Sequence, residues 1–308
     1  MTATIFIDGE SGTTGLQIRD KLAAVAGIVQ RGLPQESRKD PAAKARLLAE
    51  IDVAILCLPD EAARQTAALI EGMGAAGPRV IDASSAHRVA AGWTYGFPEM
   101  AAGQGAAIAR ARKVSNPGCY ATGAIALLRP LVAAGLIASD SSLSINAVSG
   151  YSGGGKSMIE SHRRGAAPAF ELYALDLEHK HMPEIVAYSG LAARPIFVPS
   201  VGNFEQGMLV SVPLSLDALP GKPRGADLAA ALARHYAGSQ IVRVFGPGDA
   251  AHEGGRLDAL SLNGTNELRL HVYANEARRQ AVLVAQLDNL GKGASSAAVQ
   301  NLKLMLGL

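Results

Sequence analysis

The stretch ATIFIDGESGTTG (3–15) reads as a short apolar strand running into a glycine cluster, with a helix-like segment beyond it that carries Leu16, Leu22 and Ala23 near helical spacing. A GxxGxxG loop after a strand lets the backbone turn sharply and approach a pyrophosphate, which then rests on the N-terminus of the next helix. Here the glycines are Gly9, Gly12 and Gly15, while Ser11, Thr13 and Thr14 offer hydroxyls to phosphate. A glycine-rich turn without a ligand would satisfy the same pattern. Its position at the end of the first strand selects the dinucleotide reading.

Working outward, IDVAILCLP (51–59) is an almost unbroken apolar run of strand length, the mark of a parallel strand buried on both faces. Asp60 is placed to N-cap a helix over 61–72, and RVIDAS (79–84) supplies a third apolar strand. Strands alternating with helices at this spacing predict right-handed βαβ units and a parallel sheet. The second half differs. SLSINAV (142–148), RPIFVPSV (194–201), GMLVSVPL (207–214), ELRLHVYA (267–274) and QAVLVAQL (280–287) are strand-like, several with two-residue alternation, and NEAR (275–278) suits a hairpin turn. A largely antiparallel sheet with helices on one face fits this pattern. The last segment, ASSAAVQNLKLMLGL (294–308), reads as an amphipathic helix that closes back on the first domain.

The 308 residues suffice for two domains, and 29 Lys plus Arg against 27 Asp plus Glu leave no electrostatic case for nucleic acid or a membrane surface. The most apolar stretch, 124–138, is broken by Arg129 and Pro130 and is too short to span a bilayer. Two cysteines and an N-terminus without a signal pattern imply a reducing cytoplasm.

Five further segments carry chemistry. Beyond the first helix-like segment, after a presumed strand that precedes the 51–59 run, come Arg31, Glu36, Ser37, Arg38 and Lys39; the Ser-Arg-Lys cluster suits a 2′-phosphate and hence NADPH, against the alternative of a solvated loop. In SNPGCYATG (115–123), Asn-Pro-Gly forces a turn and Cys119 opens a helix bearing Ile125, Leu128 and Val132 on one face. A cysteine there feels the positive end of the helix dipole, and nearby N–H groups can hold an oxyanion. Cys57, inside an apolar strand, reads as an ordinary buried cysteine. In EHKHMPEI (178–185), His179 and His181 point the same way if the segment is extended; His181 is the chosen base, and no further ligand at suitable spacing supports a metal. In SGYSGGGK (149–156), the glycines can bring backbone close to a ligand, and Lys156 with His162, Arg163 and Arg164 can meet an anion. DASSAHR (82–88) adds Ser84, Ser85 and Arg88 at a parallel strand's carboxyl end.

Together these motifs resemble the N-acetyl-gamma-glutamyl-phosphate reductase family in its shorter form, from end to end, including DVAILCLPD (52–60), DASSAHRVAAGWTYGFPE (82–99), FVPSVGNFEQGM (197–208) and DNLGKGASSAAVQN (288–301). The resemblance implies an α/β fold shared with aspartate-semialdehyde dehydrogenase. A Rossmann-type NADP-binding domain (1–117 and 288–308) would accompany an α+β catalytic and oligomerisation domain (118–287) with a mostly antiparallel sheet. It makes Cys119 the nucleophile that forms a thioester with an acyl phosphate and His181 the acid/base. It assigns Cys57, Leu58, Pro59, Ser84, Asn289, Gly291 and Lys292 to the cofactor, and Ser85, Arg88, Asn116, Gly150, Ser152, Lys156, His179 and Glu184 to the substrate. A homodimer or homotetramer is expected by the same resemblance. Two other readings stay open at this stage: an aspartate-semialdehyde dehydrogenase-like acyl phosphate reductase, and a non-catalytic NADP-binding sensor.

Overall fold

Strand β1 (Ala3–Asp8) shows why the first part of the chain folds as it does: Ile5 and Ile7 enter one apolar core and Phe6 another. Alternate side chains leave a strand on opposite faces, so both faces of its sheet must be covered. The computed structural model describes residues 2–38 and 40–308, which form two compact units.

The first unit comprises Met1–Pro98, Ala102–Pro117 and Ala294–Leu308. With β1 stand β2 (Ile28–Arg31), β3 (Val53–Leu56), β4 (Arg79–Asp82), β5 (Thr94–Tyr95) and β6 (Lys113–Ser115), in the order β2-β1-β3-β4-β6-β5. Every pairing is parallel. On one face α1 (Thr13–Ala23), α4 (Gln104–Arg110) and the C-terminal helix Ser296–Leu306 enclose Ile5, Ile7, Ile55, Ile81 and Leu302. On the other, α2 (Pro41–Leu48) and α3 (Asp60–Gly72) enclose Phe6, Leu48, Leu56 and Ile70. The C-terminal helix is tied in by Arg79, whose guanidinium donates to the carbonyls of Ala109, Ala111 and Met305. Asn301 adds bonds to Gly96 O at 2.9 Å and Asn116 Oδ1 at 3.1 Å. Asp60 does not cap α3. Pro59 holds the cap position, and the Asp60 carboxylate instead accepts from the Ser85 N–H at 3.0 Å and hydroxyl at 2.8 Å.

The second unit comprises Glu99–Ala101 and Gly118–Gly293. Its strands are β7 (Ser144–Gly150), β8 (Phe170–Leu172), β9 (Ile196–Gly202), β10 (Met208–Ser215), β11 (Val242–Phe245), β12 (Leu268–Asn275) and β13 (Gln280–Leu287). The order is β11-β12-β13-β10-β7-β9-β8, with four pairings antiparallel and two, β11–β12 and β7–β9, parallel. All five strand-like segments of the second half are strands, and 275–278 is the β12–β13 hairpin, pinned by Asn275 Oδ1 accepting from the Arg278 N–H at 3.0 Å. The helices are α5 (Cys119–Ala133), α6 (Gly155–Arg163), α7 (Met182–Ser189) and α8 (Gly225–His235), and α5 and α8 cover one sheet face. A Cβ on Gly123 would lie 2.8 Å from Val210 Cγ2, so only glycine lets α5 pack this closely. The opposite face keeps apolar side chains in solvent, Phe170 at 58% exposure and Val282 at 38%. Among the described residues, no helix is long and apolar enough to cross a membrane.

On that face His271, only 2% exposed, stacks on Phe245 and meets His252 Nε2 through Nδ1 at 3.2 Å. Desolvation first, then the neighbouring His252, push its pKa from 6.5 down to about 4. The unfolded chain therefore takes up a proton that the folded one refuses as pH falls below 6.5. Stability contributed by neutral His271 is complete above pH 6.5 and is lost progressively toward pH 4. Urea unfolding of wild type should show a falling midpoint across that window, and His271→Phe should flatten it. Parallel profiles would show that His271 is not the linked group.

Candidate active site

Gly9, at φ +90° on the end of β1, presses against β3: a Cβ there would lie 2.3 Å from the Cys57 carbonyl oxygen. A Cβ on Gly15 would lie 2.4 Å from the Gly9 oxygen, so the loop closes directly onto the first turn of α1. The Gly12 N–H donates to Gly9 O at 3.0 Å, and α1 begins at Thr13 with Gly12 as its cap. The order β2-β1-β3 makes this a topological switch point, where such sheets bind ligands at the strands' carboxyl ends.

A pocket of about 630 Å³ opens there, lined by Gly9, Glu10, Ser11, Leu33, Arg38, Lys44, Leu58, Gln65 and Thr66 among others. Gly9, Ser11, Arg38 and Leu58 of the expected cofactor residues are in its wall. Lys39 lies outside the described residues. Arg38 is paired with Glu10. Lys44, which the sequence reading missed, is held by Asp8 Oδ2 at 2.6 Å, with Thr66 Oγ1 at 3.3 Å. Nothing local in the sequence marks Lys44; the parallel order of the strands brings α2 to this edge. The cramped glycine turn, the helix N-terminus and the two basic side chains fit the phosphates of a dinucleotide. Cys57 is partly exposed, yet desolvation first, then Asp82 and Asp8, push its thiol up to about 12, leaving it unreactive.

Other expected ligand groups are engaged within the first unit. Ser84 donates from its N–H and hydroxyl to Asp82 at 2.9 and 2.8 Å, and Ser85 donates to Asp60. His87 Nδ1 meets Asp82 Oδ2 at 2.5 Å while its ring stacks on Trp93. Arg88 is 8% exposed. Asn116, 1% exposed, donates to Ala294 O at 3.0 Å and accepts from Asn301.

In the second unit Cys119 is the first residue of α5, after Gly118 in extended conformation. The Gly118 N–H donates to Glu184 Oε2 at 3.1 Å; Glu184, 1% exposed, lies in the first turn of α7. His181 is the residue before α7, so one hydrogen bond ties together the helix starts that carry the cysteine and the histidine. The 178–182 segment is not extended. It folds into a turn in which Met182 N donates to His179 O at 2.9 Å and His181 N donates to His179 Nδ1 at 3.0 Å. With Nδ1 accepting, His179 carries its proton on Nε2, which meets the Tyr173 hydroxyl at 3.1 Å. His179 thus holds the turn, and His181, at its end, is 4% exposed.

Aromatic walls surround the pair. Tyr120 lies 5.6 Å from the His179 ring and 5.8 Å from that of His181, and its hydroxyl donates to Ser200 O at 2.9 Å. Burial raises the Tyr120 pKa, with Tyr173 and Cys119 adding to it, and burial likewise raises that of Tyr173, so both phenols stay protonated. Tyr120, Tyr173 and Gly293 escaped the sequence reading. Gly293 matters because a Cβ there would lie 2.8 Å from Cys119 Cβ. Tyr120 adjoins the cysteine in sequence and could have been suspected; Tyr173 and Gly293 reach it only through the fold.

The SGYSGGGK segment packs against protein backbone and Asn289. A Cβ on Gly150 would lie 2.5 Å from Glu205 O, so its glycine admits the 205–207 chain. Ser152 accepts from Asn289 Nδ2 at 3.0 Å, and Asn289 Oδ1 accepts from the Gly207 N–H at 2.8 Å. Lys156 is exposed, while Arg163 and Arg164 pair with Glu205 and Glu160 at the surface. Gly291 abuts Thr265 O, and Lys292, 1% exposed, pairs with Glu99. A thiol at a helix N-terminus, a buried histidine on a linked helix start and protonated phenols beside them are suited to acyl transfer.

Comparison with known proteins agrees with this chemistry. A family model described as the NAD binding domain of semialdehyde dehydrogenase matches residues 9–108, and one described as its dimerisation domain matches residues 119–289. The chain is 54% identical to an N-acetyl-gamma-glutamyl-phosphate reductase from Chelativorans sp., over 99% of each chain. It is 51% identical to N-acetyl-gamma-glutamyl-phosphate reductase 2 from Pseudomonas putida, over 99% of this chain and 97% of that one. Among solved structures it is similar to aspartate semialdehyde dehydrogenase from Francisella tularensis, with TM-score 0.74 and 11% identity over 100% of both chains, a likeness of fold.

Proposed function

The chain belongs to the N-acetyl-gamma-glutamyl-phosphate reductase family, and from that premise we propose that it reduces N-acetyl-gamma-glutamyl phosphate to N-acetylglutamate 5-semialdehyde and phosphate, in arginine biosynthesis, through a thioester on Cys119. The observation that carries the residue assignment is the Gly118–Glu184 hydrogen bond, which links the helix starts bearing Cys119 and His181. Cys119 Sγ bonds to the acyl carbon and phosphate departs. The N–H groups at the start of α5, which have no intrahelical acceptors, face the charge that grows on the carbonyl oxygen. Bound NADPH supplies the hydride that reduces the thioester. His181 gives the proton that neutralises the resulting alkoxide and takes it back as aldehyde leaves and the Cys119 thiolate re-forms. The reaction requires a reduced thiol, in keeping with a cytoplasmic setting.

Run in reverse, wild type should reduce NADP only when N-acetylglutamate semialdehyde and phosphate are both present. Cys119→Ala should lose about 10³-fold or more of that rate while still binding NADPH. Turnover of aspartate semialdehyde alone would move the substrate assignment, and an active Cys119→Ala variant would remove the thioester.

The preference for NADPH over NADH is proposed from the basic wall of the nucleotide pocket, with Ser37, Arg38 and Lys44 as phosphate contacts. Arg38→Ala should raise KM for NADPH about tenfold, roughly one charged hydrogen bond's worth, and leave KM for NADH near its original value. Equal changes for both cofactors would rule Arg38 out as the selector.

The dimerisation-domain match and the solvent-facing side of the second sheet support a homodimer formed through that side, where Phe170 is 58%, Leu172 49% and Ile196 51% exposed. Phe170→Glu should shift the mass in solution, measured by light scattering, to that of one chain. An unchanged mass would place the contact elsewhere.

A further inference from the structure

Residues 288–293 leave β13 as a turn that each of its polar side chains pins down. Asp288 accepts from the N–H groups of Leu290 and Gly264 and from Gln206 Nε2. Asn289 bonds the Gly207 N–H and the Ser152 hydroxyl. The Gly293 N–H returns to Asp288 O at 2.9 Å, closing one wide π-type turn. Gly291 and Gly293 both sit where no side chain fits: a Cβ on Gly291 would lie 2.3 Å from Thr265 O, and one on Gly293 2.8 Å from Cys119 Cβ. The backbone at Gly293 therefore rests directly on the cysteine.

Lys292 occupies the position between them. Its side chain is 2% exposed, and Nζ meets Glu99 Oε2 at 2.8 Å. Glu99 is in turn fixed to α8, its carbonyl oxygen lying 3.3 Å from His235 Nε2. Burial lowers the Lys292 pKa, and the Glu99 carboxylate opposes that shift. A buried ammonium committed to a carboxylate is poorly placed to hold a nucleotide phosphate, the role suggested for Lys292 by sequence. Burying an ion pair is also costly compared with apolar side chains of the same volume, so the pair adds little to stability for what it requires. What it does supply is a directional anchor one residue from the contact with Cys119.

We infer that Lys292 and Glu99 are positioning residues for the nucleophile: their ion pair holds the 288–293 turn so that the Gly293 backbone fixes the Cys119 side chain against α5. The inference rests on Cys119 being the nucleophile of the reaction proposed above. Misplacing an attacking atom by a fraction of an ångström to an ångström is enough to slow such a step strongly.

The test compares wild type, Lys292→Met and the double variant Lys292→Met/Glu99→Leu, which removes both charges and protects against failure to fold. Three quantities are read: kcat and KM in the reverse reaction, the Kd of NADP by titration, and the rate at which iodoacetamide alkylates Cys119, followed by peptide mass. The expected result in both variants is a kcat lower by about tenfold or more, KM for the aldehyde and Kd for NADP within about twofold, and several-fold faster alkylation as Gly293 lifts from the thiol. A weakened Kd for NADP with unchanged alkylation would overturn the inference and make Lys292 a cofactor ligand. Unchanged kcat and alkylation would reduce the pair to a structural one. Absence of turnover in wild type would count against the proposed reaction, and the alkylation rates would still decide the positioning role.

Discussion

The carboxylate of Glu184 accepts the Gly118 N–H at 3.1 Å in a place where water hardly reaches, and the arrangement of the candidate site in the second unit depends on it. A helix start exposes N–H groups without partners, and a buried one must find an acceptor. Here that acceptor comes from the first turn of α7, itself a favourable location for a negative charge. One bond to a charged group, worth about 1.5–3 kcal/mol, thus fixes the start of α5 and the start of α7 together. The aromatic contacts of Tyr120 with both histidine rings follow from that alignment.

Close backbone approach recurs wherever chemistry is placed. Gly9 and Gly15 let the first loop collapse onto the end of β3 and onto α1; Gly123 lets α5 sink into the sheet; Gly293 lets a turn rest on Cys119. In each case a methyl group would fall 2.3–2.8 Å from an atom already in place. The glycines are steric permissions, and the cost of their backbone freedom in the unfolded chain is met by the burial they allow around them.

The legible parts of the sequence were those with a local signal. Apolar runs marked β1, β3 and β4, strand-like runs, several with two-residue alternation, marked the five long strands of the second sheet, and Asn-Pro-Gly before Cys119 marked the start of α5. The short strands β5, β6, β8 and β11, of two to four residues, carry too few side chains for a period to register. The turn at 178–182 has no local signal in the sequence, because a side chain, His179 Nδ1, holds it by accepting a backbone N–H two residues on. Polar residues in matched motifs were read as ligand contacts, yet Ser84, Ser85, Asn116, Ser152 and Asn289 hydrogen-bond to protein. A motif in sequence names such groups without showing the protein partners that fix each of them.

The two basic residues of the first unit's pocket, Arg38 and Lys44, differ in a way that bears on the proposed selectivity. Lys44 and Asp8 are well shielded, with side-chain exposures of 17% and 10%, and Thr66 joins them, so this pair is part of the wall. Arg38 and Glu10 are far more open, at 44% and 31%. An ion pair that wet contributes about 0–1 kcal/mol and can be exchanged at little cost. Under the proposed NADPH preference, a 2′-phosphate, with more charge and a geometry matched to the guanidinium fork, would compete for Arg38 where the hydroxyl of NADH would not. On that proposal Glu10, which pairs with Arg38 in the pocket lining, is the partner a phosphate would replace.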